Sequence, residues 1–343
     1  MSFDLLTFDE ALSDSSQVAA EPHLLLGNGF SISCRPNSFN YGALLDEATF
    51  DAAHGDIRAV FELLGTTDFE RVIEMLRVAS ALVDCYGSRS DLGNRLRHDA
   101  ETVREALAVT LAARHPDLPF DLAPAEYTAA RNFLSNFRKI YTLNYDMLLY
   151  WAVMQDFEPN LSTNDGFTNS EDPSADYVVW EPYLDFGSQT LFFLHGGLHL
   201  YDSGPEISKI TWSRTGIPLV DQIRTALATG RYPLIVTEGS SAEKEAKILH
   251  NPYLDHAIRS FAKIQKTLFI HGHSLAPNDE HIFRCIEKGK LDRLYISIHG
   301  DLDSEVNRAT VLRGQALMTN RERYNGSPLE VRFYDASTAH VWG

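Results

Sequence analysis

Four short polar clusters stand at the ends of apolar runs: Gly27-Asn28-Gly29-Phe30-Ser31, Thr142-Leu143-Asn144-Tyr145-Asp146, Leu194-His195-Gly196 and Gly272-His273-Ser274. Their residue types suit work on a small, phosphate-bearing ligand. Gly27-x-Gly29 permits a tight turn and lets backbone N–H groups approach a pyrophosphate at a helix start. The full dinucleotide fingerprint is absent, because Ile32 stands where a third glycine would be. Asn144 and Asp146, two apart at a strand end, face one side in extended geometry. Together they offer an amide and a carboxylate for a carboxamide or a ribose hydroxyl; the plainer alternative is an Asx turn that caps a helix starting near Asp146. His195 ends the run Thr190–Leu194 and precedes two glycines, a place that suits a general base near neutral pH. Gly272 and Ser274 again place a glycine and a hydroxyl at a strand-to-helix turn, fit for phosphate or ribose oxygens.

Other charged groups read as structural. Asp279-Glu280-His281 reads as an acidic helix N-terminus, and Glu243 to Lys247 as a solvated helix face. His199 lies four residues after His195, but no carboxylate stands at matching spacing, so no metal is expected. The three cysteines, Cys34, Cys85 and Cys285, form no CxxC and read as reduced thiols.

The elements that must hold the clusters follow from periodicity. Apolar strand-like runs are His23–Leu26, Lys139–Leu143, Leu191–Leu194, Leu234–Thr237, Thr267–Ile270, Leu294–Ile298 and Val331–Tyr334. Helices are expected over Asp146–Gln155, Val220–Ala228, Ala242–Ile264, Asp279–Lys288 and Ser304–Arg323. Residues 158–189, rich in Asn, Asp, Ser, Pro and Gly, read as a long irregular loop. Spacings of three and four from Phe69 onward, broken by Pro116 and Pro119, predict a helical insertion at about 43–137. Residues 1–22 read as an acidic N-terminal arm or short helix, and 23–343 as one α/β domain. The alternation of strand and helix predicts a Rossmann-like, mostly parallel sheet with helices on both faces. In such a sheet ligands bind beyond the carboxyl ends of the strands, so the four clusters should share one cleft.

Composition narrows the partners. The formal net charge of −17 over 343 residues argues against a general nucleic-acid surface. No apolar run is long enough to span a bilayer, and the acidic N-terminal stretch is unlike a secretory leader, so a cytoplasmic protein is expected.

The motif order resembles that of the sirtuin-type family of NAD-consuming enzymes. That family has a Gly-x-Gly-x-Ser loop, here Gly27, Gly29 and Ser31, then an Asn-x-Asp strand end, here Asn144 and Asp146. A His in a Leu-His-Gly setting, here His195, and a Gly-x-Ser turn, here Gly272 and Ser274, follow. The four-cysteine zinc module of the lysine deacylases is missing, as is their Gly-Ile-Pro loop. Both departures resemble the sirtuin-like proteins of bacterial antiphage defence. The resemblance implies an NAD glycohydrolase that releases nicotinamide and ADP-ribose, with NAD as substrate and no metal. Asn144 and His195 would be catalytic. Gly27, Asn28, Gly29, Phe30, Ser31, Asp146, Gly272 and Ser274 would bind the dinucleotide. A non-catalytic NAD or ADP-ribose sensor stands second, and an NAD-dependent deacylase third. An NAD hydrolase needs control, so a homo-oligomer or a regulatory partner subunit is expected.

Overall fold

The computed structural model describes residues 5–18, 21–39, 41–50, 56–86, 91–181, 189–211, 215–237, 240–324 and 327–343. Parts of three expected segments fall outside these: 1–4 and 19–20 of the arm, 51–55 and 87–90 of the helical block, and 182–188 of the loop.

Six strands form one parallel sheet: β1 (His23–Leu26), β2 (Ile140–Thr142), β5 (Leu191–Phe193), β8 (Gln265–His271), β9 (Lys290–Ile298) and β10 (Glu330–Asp335). Their order across the sheet is β10-β9-β8-β1-β2-β5, and each neighbouring pair is parallel. The strands read as continuous apolar runs because both faces are covered. Leu24 and Leu26 pack into one core while Leu25 packs into the other. Phe269, Tyr295 and Tyr334 join the first core; Leu268, Ile270, Leu294 and Ile296 join the second.

Counted along the chain, these strands lie in the order 3-2-1-4-5-6, the doubly wound order of dinucleotide-binding folds. The winding reverses between β1 and β8, and the crevice outside their carboxyl ends is where such sheets bind ligands.

Residues expected to form an irregular loop instead build half of a second sheet. Strands β3 (Phe167–Asn169) and β4 (Tyr177–Trp180) join β6 (Leu200–Asp202) and β7 (Ile207–Ile210) in an antiparallel sheet of order β3-β4-β7-β6. Its strands are three or four residues long and only half-buried at β3 and β4, so hydrophobic patterning carries little signal. The expected strand Leu234–Thr237 reduces to one bridge, Ile235 to Gly196. The expected helix Ala242–Ile264 is two, Ser241–His250 and Pro252–Ala262. Asn251 accepts from Leu254 N–H as an N-cap, and Pro252 takes the first helical position, which restarts the helix there.

The helical block between β1 and β2 begins at Gly29, not at 43. It runs through Gly29–Cys34, Pro36–Phe39, Tyr41–Glu47, Ile57–Leu64, Phe69–Cys85, Leu92–Arg114 and Pro124–Leu134. Asp68 caps Phe69–Cys85 by accepting from the N–H groups of Glu70 and Arg71. Phe69, Val72, Ile73 and Leu76 form its buried stripe. Among the described residues, no helix is long and apolar enough to cross a membrane.

The N-terminal segment is part of the core. Thr7 and Glu10 form a capping box on the helix Phe8–Ser16, and Leu6 bridges to Tyr334 beside β10. Phe8 is buried against Phe133, Phe137, Phe269 and Tyr334, with ring centroids 5.2–6.3 Å away. Phe8→Ala should therefore lower the unfolding free energy by about 3–5 kcal/mol. Urea unfolding checks this; a loss below about 1 kcal/mol would mark the segment as a loose arm.

Candidate active site

The site begins with two loops pressed together at the switch point. Gly27 N–H donates to His271 O at 2.9 Å, and Gly29 N–H donates to Gly272 O at 2.8 Å. A Cβ on Gly29 would lie 2.5 Å from Gly272 Cα, and one on Gly27 would lie 2.6 Å from His273 Cβ. Gly272 itself has φ +73°, left-handed backbone that favours glycine. The glycines are thus required by backbone-to-backbone packing of the two loops, before any ligand is considered.

Above this contact lies a cavity of about 310 Å³. Of the residues singled out in the sequence, Gly27, Asn28, Asn144, Asp146, His195, Gly272 and Ser274 line it. Gly29, Phe30 and Ser31 are absent from its lining. Phe30 is core, with its carbonyl accepting from Trp342 Nε1 at 2.8 Å. Ser31 is fully buried and acts through its neighbours.

Ser31 Oγ donates to Asp146 Oδ2 at 2.5 Å and accepts from Asn144 Nδ2 at 3.0 Å. Asn144 Nδ2 also donates to Gly27 O at 3.0 Å, so the end of β2 is tied to the turn after β1. Asp146 Oδ1 accepts from Leu148 N–H at 2.8 Å. The Asx turn foreseen for Asp146 is therefore formed, and the same residue still borders the cavity. Burial pushes the Asp146 carboxyl up, and the Ser31 bond opposes that shift. With Nδ2 engaged, Oδ1 is the Asn144 atom left to serve a ligand.

The opposite wall holds an ion cluster that the sequence did not disclose. Lys244 is fully buried and donates to Glu70 Oε2 and, at 2.8 Å, to Asp279 Oδ1. Asn278 Nδ2 donates to Glu70 Oε2 at 2.8 Å, and Tyr145 OH reaches Glu70 Oε1 at 2.6 Å. His273 accepts Leu275 N–H on Nδ1, so its proton sits on Nε2 and is donated to Asp279 Oδ2 at 2.9 Å. Lys244 holds Asp279 well below the usual carboxylate range, whereas burial pushes Glu70 up. The two carboxylates hold Lys244 above the usual lysine range. Two sequence readings are corrected here. Lys244 is no solvated helix residue, and Asp279 is far more than an acidic helix start.

His195 is buried, with Nε2 3.0 Å from His281 Nε2 and 3.8 Å from Asp279 Oδ1. His281 Nδ1 lies 3.2 Å from Ser241 Oγ, and that hydroxyl accepts His281 N–H at 2.7 Å. Burial pushes the His195 imidazole well below the usual histidine range and His281 down to about 4. Both rings therefore rest uncharged at neutral pH. The chain His195–His281–Ser241 can move a proton from the cavity toward the half-buried Ser241 without leaving a charge on either ring. Among the described residues, His195, Asp279 and His281 are close enough to share a metal ion. Lys244 already occupies the Asp279 oxygen they would use, and a dication beside that ammonium would be strongly repelled. His199 is buried apart from this group, against Tyr150 and Phe193.

Removing the ammonium isolates two buried carboxylates. Lys244→Met should cost about 3–5 kcal/mol of stability at pH 7. Asp279, held low in the wild type, contributes stability above its unfolded pKa and loses it as pH falls; the variant's carboxylates instead gain protons readily in acid. The stability gap between the two proteins should narrow as pH falls through the carboxylate range. Urea unfolding at several pH values checks this; a gap independent of pH would refute the charge assignment.

No curated protein matches the sequence. A solved structure described as "Structural Basis for the Mechanism and Regulation of Sir2 Enzymes" is similar over 92% of this chain and 98% of its own, at 13% identity and a TM-score of 0.37. A likeness that slight carries no functional argument. The family described as "Domain of unknown function (DUF4917)" matches residues 24–342, nearly the whole chain, and the protein belongs to that family.

Proposed function

We propose that this protein is an NAD glycohydrolase, and that the cavity at the β1–β8 switch point is its active site. The observation that carries the reading is convergence. Residues from all four polar clusters, Gly27, Asn144, His195 and Gly272 among them, line one cavity where a 3-2-1-4-5-6 sheet reverses its winding. The motif order resembling the sirtuin-type family points the same way, and the antiphage setting is part of the proposal through that resemblance alone.

Charge suggests the orientation of the ligand. Glu70, Asp68, Asp146 and Asp279 line the cavity, while among the described residues no Lys or Arg does. Lys244 stands behind the carboxylates it pairs with. Such walls favour the cationic nicotinamide end of NAD and the oxocarbenium-like ribose formed as the bond breaks. The cavity is at the small end of the ~300–1,000 Å³ usual for ligand sites, so the nicotinamide riboside end would enter and the pyrophosphate would stay near Gly27, Asn28 and Ser274.

In the reaction the bond from ribose C1 to the nicotinamide nitrogen breaks, and its electron pair leaves with nicotinamide. A water oxygen bonds to C1, and the water's proton passes to His195 and onward through His281. Asn144 Oδ1 orients the water or a ribose hydroxyl. The products are nicotinamide, ADP-ribose and one proton, which balances the step.

His195→Ala should reduce nicotinamide release about 10²-fold or more while ADP-ribose still binds. Because burial holds His195 well below 6.5, its basic form persists as pH falls. The acid limb of kcat/KM should therefore lie below pH 6.5. Chromatography of nicotinamide across pH checks both points. Binding of ADP-ribose with no turnover by the wild type would favour the sensor reading, and an acid limb above pH 6.5 would remove His195 as the base.

A further inference from the structure

At the other end of β1 the chain gathers positive charge. A second concavity of about 630 Å³ is lined by Arg138, Lys139, Arg259, Lys263 and Lys266, with His23 and His256. Among the described residues, Glu21 is the one carboxylate in its lining. This is unusual in a chain of net charge −17. The cations come from separate elements: Arg138 and Lys139 precede β2, Lys266 is the second residue of β8, Arg259 lies in the last turn of the helix Pro252–Ala262 and Lys263 is its C-cap. A helix C-terminus accounts for the last two, since its dipole favours cations. It does not account for the other three, which the register of β1, β2 and β8 brings alongside.

Pairing leaves the charge uncompensated. Arg259 Nε donates to both carboxylate oxygens of Asp255, at 2.8 and 2.9 Å, and Lys266 meets Asp292 at 3.1 Å. Among the described residues, Lys139 Nζ finds only Ser260 Oγ, at 3.3 Å, and the face of Phe192. Among the described residues no carboxylate pairs with Arg138, Lys139 or Lys263. Beside them His23 Nδ1 is buried without a hydrogen-bond partner. The neighbouring cations act on the titrating groups as well: Lys139 and Arg138 add to burial in pushing His23 down to about 4, and Arg138 adds to burial in lowering Lys139.

We infer that this amino-edge concavity is a binding site for a small polyphosphate ligand, separate from the cavity at the carboxyl edge. The geometry favours a compact ligand over a nucleic acid. The cations ring an open hollow between strand ends and a helix end, with Arg138, Arg259, Lys263 and Lys266 exposed around it, and the acidic remainder of the chain would repel a long polyanion. Its volume lies within the range of small-molecule sites. An anion there would pair Arg138, Lys139 and Lys263 and relieve the repulsion on His23 and His256. The inference stands independently of the proposed reaction, because no lining residue is shared with the other cavity.

The test is calorimetry with inorganic tripolyphosphate and with ATP on the full chain, alongside NMR titration of the imidazoles. Both ligands should bind in the wild type, and the His23 and His256 pKa values should rise on binding. The double variant Arg138→Gln, Lys263→Gln should bind at least about tenfold more weakly, the factor one charge-assisted hydrogen bond carries, while Asn144→Ala binds as the wild type does. Equal affinity for the two ligands would assign recognition to the phosphates alone, and tighter ATP binding would add the nucleoside; either supports the site. The inference is overturned by no binding at millimolar ligand, by an unchanged double variant, by His23 and His256 signals that do not move, or by tighter binding of a single-stranded oligonucleotide than of either ligand.

Discussion

The bond on which the site depends is the ammonium of Lys244 held between Glu70 and Asp279. A fully buried lysine is tolerable only when opposite charges are fixed around it. Those charges come from distant parts of the chain. Glu70 lies on a helix of the block between β1 and β2, and Asp279 lies in the turn after β8. The bond therefore pins the helical block, the helix Ser241–His250 and the sheet's switch point to one another. It also sets the chemistry. Asp279 orients His273 with one oxygen and lies near His195 with the other. Glu70 is steadied by Tyr145 and Asn278. The carboxylates that border the cavity are thus fixed before any ligand arrives, which is how electrostatic preorganisation works.

The second constraint is steric. The turns after β1 and β8 touch backbone to backbone, and only glycine leaves room at Gly27, Gly29 and Gly272. This contact forms the floor of the cavity. Ser31 then links Asn144 to Asp146, so β2 enters the site as one unit with β1. The turns after β1, β2, β5 and β8 border the cavity, the helical block adds Phe39, Leu44 and Leu111, and the buried ion cluster closes the rest.

The parallel sheet was legible because strands covered on both faces are unbroken apolar runs, as Leu24–Leu26 and Leu268–Ile270 show. The short strands β3 and β4 were hidden among Asn, Asp, Ser and Pro, since half-buried three- and four-residue strands need little apolar sequence. Asn251-Pro252 was the local signal for the break between Ser241–His250 and Pro252–Ala262, and capping logic reads it once noticed. Within the site, residues at strand ends stood out because polar types interrupt apolar runs. Lys244 did not. Its neighbours Glu243, Glu245 and Lys247 make the stretch look uniformly solvated, and its partners lie 174 and 35 residues away. Glu70 lies three residues before Ile73, at the edge of the apolar stripe Phe69, Val72, Ile73 and Leu76, which is the sequence hint that it faces inward. His281 was masked by the acidic residues before it.

In the proposed reaction one cavity, at the reversal between β1 and β8, receives the nicotinamide end of NAD. A crystal structure of the His195→Ala protein grown with NAD tests it most directly. The nicotinamide riboside is expected between Asn144 and the Glu70–Asp279 wall, with the pyrophosphate at the mouth near Gly27, Asn28 and Ser274. NAD bound elsewhere on the molecule, or an empty cavity at millimolar NAD, would contradict it.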